Sequence, residues 1–216
     1  MAGKRESASK RSASAHDTKA RIAASATKLF ARKGYAATSI QEICQASGAN
    51  IAAVNYYFQS KENLYRHIVS NFGTHSLDNI SQILQSPATE DEFRVRLEMF
   101  LEFAADMVAQ QPDVSRIIVR DVDIMTSMCR DIYINTFCRI YICLVSFLKC
   151  AVQRGILRRD TNPDMVAQLL FGPLTSQHNS DREIREMLKS GDFADAGYRR
   201  RWVRGTVSLI LSGIKG

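Results

Sequence analysis

The sequence predicts an all-α protein. Apolar residues recur at helical spacing over most of the 216 residues, and convincing alternating runs of strand type are lacking. Only 4 residues are proline and 11 are glycine, which argues against a fibrous or wholly disordered chain. With 45% hydrophobic and 24% charged residues, a chain of this length can bury its own core.

The N-terminal end changes character at Asp17. Residues 1–16 are rich in Ser, Ala, Lys and Arg and have no apolar period, which predicts a disordered basic arm. Asp17 is the expected N-cap of a first helix over about residues 18–33. Gly34 is expected just past its end, where a left-handed conformation suits glycine.

Capping signals predict three further helices in quick succession. Thr38 is expected to cap the second, over about residues 39–46, in a capping box. Asn50 is expected to cap a short third helix over residues 51–57. Ser60 would cap a fourth.

The C-terminal part is also helical by period. Pro112, Asn162-Pro163 and Gly172-Pro173 mark the starts or interruptions of helices. The polar residues of the longest element fall in one stripe, which predicts a central buried helix. The expected elements cover about residues 90–110, 112–122, 126–154, a helix from 163, 181–189 and 195–213.

Two segments bear on the cellular location of the protein. The longest apolar stretch, Ile140–Leu148, is too short to span a bilayer, which takes about 20 residues. The N-terminus has basic residues but no apolar region of the secretory type, so we expect no membrane partner and a cytoplasmic protein.

The net charge of +7 lies at one end of the chain. Residues 1–61 carry ten Lys or Arg and three acids, whereas the 19 bases and 19 acids of residues 62–216 cancel. This asymmetry indicates that the N-terminal part meets a polyanion, or that it is a solvated basic tail.

Two short helices meet across the turn Ser47-Gly48-Ala49, which is helix-turn-helix spacing. Ile40, Ile43, Val54 and Phe58 would supply the small core that fixes them. Such a unit can place its second helix in the major groove of DNA, and a plain helical hairpin is the alternative.

Residues Thr18 to Leu64 resemble the TetR/AcrR family of bacterial transcription regulators. The resemblance rests on the block LF-A-x-KGY-x-x-T-S-I (Leu29–Ile40), on I-x-x-x-S-G (Ile43–Gly48) and on YYF-x-SKE-x-L (Tyr56–Leu64). The run NIAAVNYYF is also reminiscent of the CerR-like branch.

This resemblance implies an N-terminal three-helix helix-turn-helix domain that binds DNA, over residues 17–64. It sits on a larger C-terminal helical bundle domain for effector binding and dimerisation, over residues 65–216. It further implies a homodimer that represses transcription from a palindromic operator until an effector moves the fourth helix. The groove face is unusually apolar, so Asn50 or Asn55 would provide the main hydrogen-bonded readout. The implied DNA-binding residues are Thr38, Ser39, Asn50, Ile51, Ala52, Ala53, Asn55, Tyr56, Tyr57 and Lys61.

The family layout also implies a small-molecule pocket and a dimer interface. Met and aromatic residues suit an adaptable pocket for a lipophilic or aromatic effector. The expected pocket residues are Phe103, Met107, Arg120, Met125, Met128, Tyr133, Phe137 and Tyr141. The expected interface residues on the last two long helices are Val166, Leu169, Leu170, Val203, Val207 and Ile210.

Other functions fit the sequence less well. No catalytic motif stands out, and the four histidines lie near no metal-ligand spacing, so we expect neither an enzyme nor a metal or cofactor. A helical ligand-binding protein without a DNA role is a remote alternative. A thiol-based redox sensor or an activator on the same scaffold would use the same DNA-binding parts.

Overall fold

The computed structural model describes the backbone of residues 2–176, 186–187, 189 and 191–214, and side chains within these ranges from residue 17 onward, apart from 176 and 214. The described residues form helices and no β-strand, which confirms the predicted class. The helices are α1 (Ala2–Lys33), α2 (Ile40–Ser47), α3 (Ile51–Phe58), α4 (Lys61–Ile83), α5 (Glu90–Gln110), α6 (Pro112–Arg120), α7 (Val122–Met128), α8 (Arg130–Ile132), a π-helical segment (Tyr133–Cys138), α9 (Arg139–Gln153), α10 (Pro163–Ser176) and α11 (Ala196–Ile214).

Helix α1 begins earlier than predicted. Asp17, the expected N-cap, lies inside it and pairs with Arg21 one turn further on, at 3.3 Å. The predicted disordered arm covers residues 1–16, whose side chains lie outside the described part of the chain, so it stays a prediction. The C-terminal end is as predicted, because Gly34 follows Lys33 with a φ of +88°.

Helices α1 to α4 share one apolar core. Ile22 and Phe30 of α1, Ile43 of α2, Val54 of α3 and Leu64 of α4 are fully buried and belong to one cluster. The same cluster continues into α6 and α7. Helix α4 therefore runs through the domain boundary that the sequence predicted after residue 64, and it is part of both halves.

A second core holds the C-terminal helices together. The Phe93 ring of α5 stacks on the Phe147 ring of α9, with centroids 5.0 Å apart and planes 8° from parallel. Val203 and Val207 of α11 are buried in the same cluster, and α10 contributes Leu170. The last helix is thus packed along its own protomer.

The helix predicted over residues 126–154 is interrupted. Cys129 leaves the helical conformation, with φ −118° and ψ 27°, and a continuous helical run then extends over Arg130–Gln153 through the π-helical segment. By length and apolar composition alone this run could cross a membrane. It has Arg139 near its middle and buries one face, including Leu144, in the second core, which is typical of a core helix in a globular domain.

Helix α10 starts as predicted but is not interrupted. Asn162 caps it, since its Oδ1 accepts the N–H of Asp164 over 3.0 Å. The helix continues through Pro173 to Ser176, because one missing N–H removes a hydrogen bond without ending the helix here. The predicted piece over residues 181–189 lies almost entirely outside the described residues.

Candidate nucleic-acid interface and apolar cavity

Helix α2 is capped one residue later than predicted. The Oγ of Ser39 accepts the N–H of Glu42 over 3.2 Å, and the Glu42 carboxylate accepts the N–H of Ser39 over 3.0 Å. Thr38 is buried, and its hydroxyl donates to the carbonyl oxygen of Gly34 over 2.7 Å. The Thr38 hydroxyl is therefore not free to donate to a phosphate. The Ser39 hydroxyl is already engaged in the cap of α2.

Glu42 also ties α2 to the end of α1. Its carboxylate pairs with the Lys33 ammonium group. This contact and the N–H of Ser39 lower the pKa of Glu42 to about 2. The first two helices are thus joined by a charged contact beside the turn between them.

The turn between α2 and α3 has helix-turn-helix geometry. Gly48 adopts the left-handed conformation, with φ +65° and ψ 23°, which glycine tolerates without strain. Asn50 caps α3 as predicted, because its Oδ1 accepts the N–H of Ala53 over 2.8 Å. This cap occupies the acceptor oxygen of Asn50 and leaves its Nδ2 for any base.

Helix α3 has two faces. Val54 and Phe58 are buried in the first core and fix the helix in place. Asn55 and Ala52 are exposed on the opposite side, together with Tyr56, of which 79% is accessible to solvent. The outward face is therefore neutral, with one amide and one phenol among apolar groups.

Three of the other predicted DNA-binding residues lie at the edge of this face. Ile51 is half-exposed at the start of α3. Ala53 and Tyr57 are partly buried and pack against the first core. The Tyr57 ring meets the Tyr56 ring edge-on, with centroids 5.0 Å apart, so the two aromatic groups support each other.

Lys61 has a structural role that the sequence did not predict. Its Nζ donates to the carbonyl oxygens of Tyr35 and Thr38, over 3.0 and 2.9 Å. The same nitrogen lies 4.3 Å from the centre of the Tyr35 ring. Two of its three N–H donors are thus used to hold the connection between α1 and α2, which leaves at most one for a phosphate.

An apolar cavity of about 140 Å³ lies between α4, α5, α6, the π-helical segment, α9 and α10. Two predicted pocket residues, Met107 and Phe137, line it. Ser115 of α6 also lines it, and the sequence did not predict this residue, because one serine in an amphipathic helix carries no pattern. The full lining is Phe72, Ser76, Ile80, Phe100, Ala104, Met107, Val108, Ser115, Ile118, Val119, Phe137, Ile140, Phe171, Leu174 and Thr175.

The other aromatic and methionine residues predicted for the pocket lie elsewhere. Met125 is buried in the first core, and Met128 and Tyr133 pack against that core. Phe103 packs against the second core. The Tyr141 hydroxyl donates to the Oδ1 of Asp164 over 2.6 Å. Residue type alone does not separate a core position from a cavity wall. These residues do not line this cavity, and their part in effector binding stays a prediction.

Arg120, also predicted for the pocket, instead joins the two halves of the chain. Its Nε contacts the Oδ1 of Asp121 at 2.7 Å, and its other donors reach α1. The Oδ2 of Asp121 accepts the hydroxyl of Tyr65, on α4, over 3.3 Å. Burial, and then the nearby Asp121 carboxylate, raises the pKa of Tyr65, so this phenol stays a hydrogen-bond donor.

Most of the residues predicted for the dimer interface do not lie on the surface of the protomer. Four of them are buried within the protomer, because the regular apolar positions of α10 and α11 face the protein's own core: Val166, Leu170, Val203 and Val207. Ile210 is partly buried. Leu169 is 68% exposed, and Met165 and Leu209 are similarly exposed on the outer sides of the same two helices.

Within the described ranges, neither the cysteine thiols nor the acidic side chains form a second functional site. The five cysteines are unpaired, and Cys44 and Cys129 are buried. Burial raises the pKa of Cys129 to about 11, which keeps it a protonated, unreactive thiol at neutral pH. No group of three or more His, Cys, Asp or Glu in the described part of the chain could hold a metal ion.

Residues 22–68 match the sequence profile of the family described as bacterial regulatory proteins, tetR family. The N-terminal domain is similar to the DNA-binding domains of the TetR family over these residues. The profile covers the helix-turn-helix and the first part of α4, so it agrees with the resemblance seen in the sequence. The CerR-like assignment stays a prediction.

Curated relatives are regulators that match over part of their length. The chain is 31% identical over 118 residues to the probable HTH-type transcriptional regulator YttP of Bacillus subtilis, covering 53% of this chain and 55% of that protein. It is 27% identical over 119 residues to the HTH-type transcriptional regulator AcrR of Shigella flexneri, covering 45% of this chain and 55% of that protein. The chain thus spans about half the length of these TetR-type relatives.

Solved structures share the fold over nearly the whole chain. The ketosteroid transcriptional regulator KstR2 of Mycobacterium tuberculosis superposes with a TM-score of 0.74 at 16% identity, covering 92% of this chain and 95% of that one. The TetR family regulator PfmR of Thermus thermophilus gives 0.70 at 24% identity, covering 91% and 96%. The fatty acid degradation regulator FadR of Bacillus halodurans gives 0.65 at 16% identity, covering 90% and 98%.

Proposed function

We propose that this protein is a DNA-binding transcription regulator whose α3 reads base edges in the major groove. The observation that carries the proposal is the exposed face of α3, held on a helix-turn-helix by a buried opposite face. A helix in this setting fits the major groove of B-DNA. The match of residues 22–68 to the TetR family supports the same function. No catalytic role is proposed.

Asn55 is the residue we propose for adenine recognition. Its side chain is exposed at the middle of the α3 face, whereas the oxygen of Asn50 is engaged in the cap. A free amide can bond the N6 and N7 atoms of adenine together, whereas one lone pair of the Asn50 oxygen is already engaged and the cap fixes the orientation of this amide. Ile51 and Ala52 would then contact thymine methyl groups on either side.

The binding energy would come from the basic N-terminal part of the chain. Lys28 and Arg32 are exposed on α1, and Tyr56 extends from α3. Phosphate contacts of this kind position the protein without reading sequence. The basic residues of the N-terminal arm would add to them.

The regulator is proposed to act as a homodimer on a palindromic operator in the cytoplasm, and as a repressor. Met165 and Leu169 on α10 and Leu209 on α11 are exposed apolar residues, which supports pairing of two protomers through these helices. Two-fold symmetry would place two α3 helices about one turn of DNA apart.

A small apolar effector is proposed to release the operator. The cavity between α4, α5 and α6 supports this, because α6 also packs against α1 and α4. Two of the proteins that share the fold are a ketosteroid transcriptional regulator and a fatty acid degradation regulator. The effector can release DNA only by its differential affinity for the two states.

Selection of bound sequences from random duplex DNA, at two salt concentrations, tests the proposal. The wild type should enrich a palindrome, and Asn55→Ala should relax the preference for adenine at one position per half-site, by about 5- to 150-fold. Asn79→Ala, which changes a partly exposed amide far along α4, should select the wild-type palindrome. Salt-sensitive binding with no enriched sequence would contradict the proposal.

A further inference from the structure

The cavity contains one polar group that the protein leaves unsatisfied. Ser115 is only 5% exposed, and its Oγ has no hydrogen-bond partner in the described part of the chain. The other hydroxyls in the lining are engaged. The Oγ of Ser76 donates to the carbonyl oxygen of Phe72 over 2.6 Å, and the Oγ1 of Thr175 donates to that of Gly172 over 3.0 Å.

An unpartnered buried hydroxyl is costly, and few occur in native proteins without a reason. Ser115 lies on the side of α6 that faces the cavity, next to Ile118 and Val119. A bound molecule with an oxygen at this point would satisfy the hydroxyl. A hydroxyl ligand could donate to Ser115, and a carbonyl ligand could accept from it.

The lining also fixes the charge and size of such a molecule. None of the fifteen lining residues is charged, so a carboxylate or ammonium group would be desolvated without a counterion. The volume of about 140 Å³ is close to that of an engineered apolar cavity that holds benzene, described as about 150 Å³. One six-membered ring with one substituent matches this space.

We propose that the cavity binds a small, neutral, mainly apolar molecule with a single hydrogen-bonding oxygen, which pairs with Ser115. Calling this ligand an effector rests on the proposed function. The binding of this ligand to the cavity does not depend on the proposed function, because the cavity and α3 lie in different parts of the chain.

Calorimetric titration of the full chain without DNA tests the proposal with phenol, toluene and benzoate. Phenol and toluene differ in hydroxyl against methyl at nearly equal size. Ser115→Ala should weaken phenol binding by about two- to tenfold, the value of one net hydrogen bond, and should leave toluene binding unchanged or stronger. Benzoate should bind neither protein. Ser127→Ala, an exposed serine on α7, should match the wild type for all three probes.

Three results would overturn the proposal. An equal loss of phenol and toluene affinity in Ser115→Ala would show that the hydroxyl makes no specific contact. Benzoate binding in competition with phenol would show that the site accepts charge. Failure of both phenol and toluene to bind the wild type would remove the cavity as a site for this class, while DNA selection by α3 could still succeed.

Discussion

The Arg120 guanidinium, at the end of α6, donates from Nη2 to the carbonyl oxygen of Phe30 on α1 over 2.8 Å. Its Nη1 donates to the carbonyl oxygen of Ala31, also over 2.8 Å. Asp121, which pairs with Arg120, accepts the Tyr65 hydroxyl of α4. One side chain thus joins the helix that borders the cavity to the helices that carry the DNA-binding unit.

Replacing Arg120 with alanine should weaken the joint between the two halves. Hydrogen bonds from a charged donor are worth about 1.5–3 kcal/mol each, and the partial exposure of Arg120 reduces this, so we expect a loss of about 1–2 kcal/mol of unfolding free energy. Urea denaturation measures it. Arg116→Ala, exposed one turn earlier on α6, is the control. Equal stability of the two variants would show that the joint contributes little.

Lys61→Met should destabilise the DNA-binding domain while keeping the length of the side chain. The carbonyl oxygens of Tyr35 and Thr38 would lose their donor, for an expected cost of about 1–3 kcal/mol. Lys28→Met, at an exposed position on α1, should stay within about 0.5 kcal/mol of the wild type. If Lys61→Met unfolds at the wild-type urea concentration and only its DNA affinity falls, Lys61 is a phosphate ligand instead.

Gly73→Ala should separate α4 from the π-helical segment. A Cβ at this position would lie 2.7 Å from the Oγ1 of Thr136 and 2.9 Å from its Cβ. Overpacking costs about 1–3 kcal/mol, and the better helix propensity of alanine offsets about 1 kcal/mol of it. Thermal unfolding should show a lower midpoint than for Thr74→Ala, which changes the next, exposed residue. A rise in the midpoint for Gly73→Ala would mean that the two segments adjust freely.

His67 should make stability fall in mild acid. Burial, and then the charge of Lys19, lowers the pKa of His67 below its usual value near 6.5. The unfolded state therefore binds more protons between these two pKa values, so stability is full above pH 6.5 and declines as the pH falls toward the folded pKa. Urea denaturation across this range should show a smaller decline for His67→Gln than for wild type or His75→Gln. Parallel curves for all three would assign the decline to other groups.

The outer faces of α10 and α11 should hold the proposed dimer. Leu169→Glu and Leu209→Glu each place a charge at an exposed apolar position without touching the protomer core, so sedimentation should detect monomers. Val95→Glu changes an exposed apolar residue on α5 and should leave the dimer intact. Dimers in all three variants would place the interface elsewhere.

The sequence predicted the parts of the fold that local physics determines. Helical period placed α2, α3 and α5 to within about one residue, and Asn50 caps α3 as predicted. The cap of α2 was misplaced from Ser39 to Thr38, because two adjacent hydroxyl residues are equally plausible caps until their burial is known. The π-helical segment has no signal in the apolar period of its residues.

From the sequence, site residues could be predicted only where the period of a single helix decides which positions are exposed. The exposed positions of α3 follow from its period once Val54 and Phe58 are assigned to the core. The cavity depends on how six elements approach one another, so Met125 and Phe137 looked alike in the sequence although one fills the core and the other borders the cavity. The buried positions of α10, such as Leu170, were mistaken for an interface for the same reason.

Helix α3 contains no charged residue. On the proposed mode of binding, it discriminates between sequences through contacts that ions do not screen, while the flanking bases supply an affinity that ions do screen. A rise in ionic strength then weakens binding to the operator and to competing genomic DNA with nearly the same slope. A regulator of this kind keeps an almost constant operator occupancy when a cell gains or loses water.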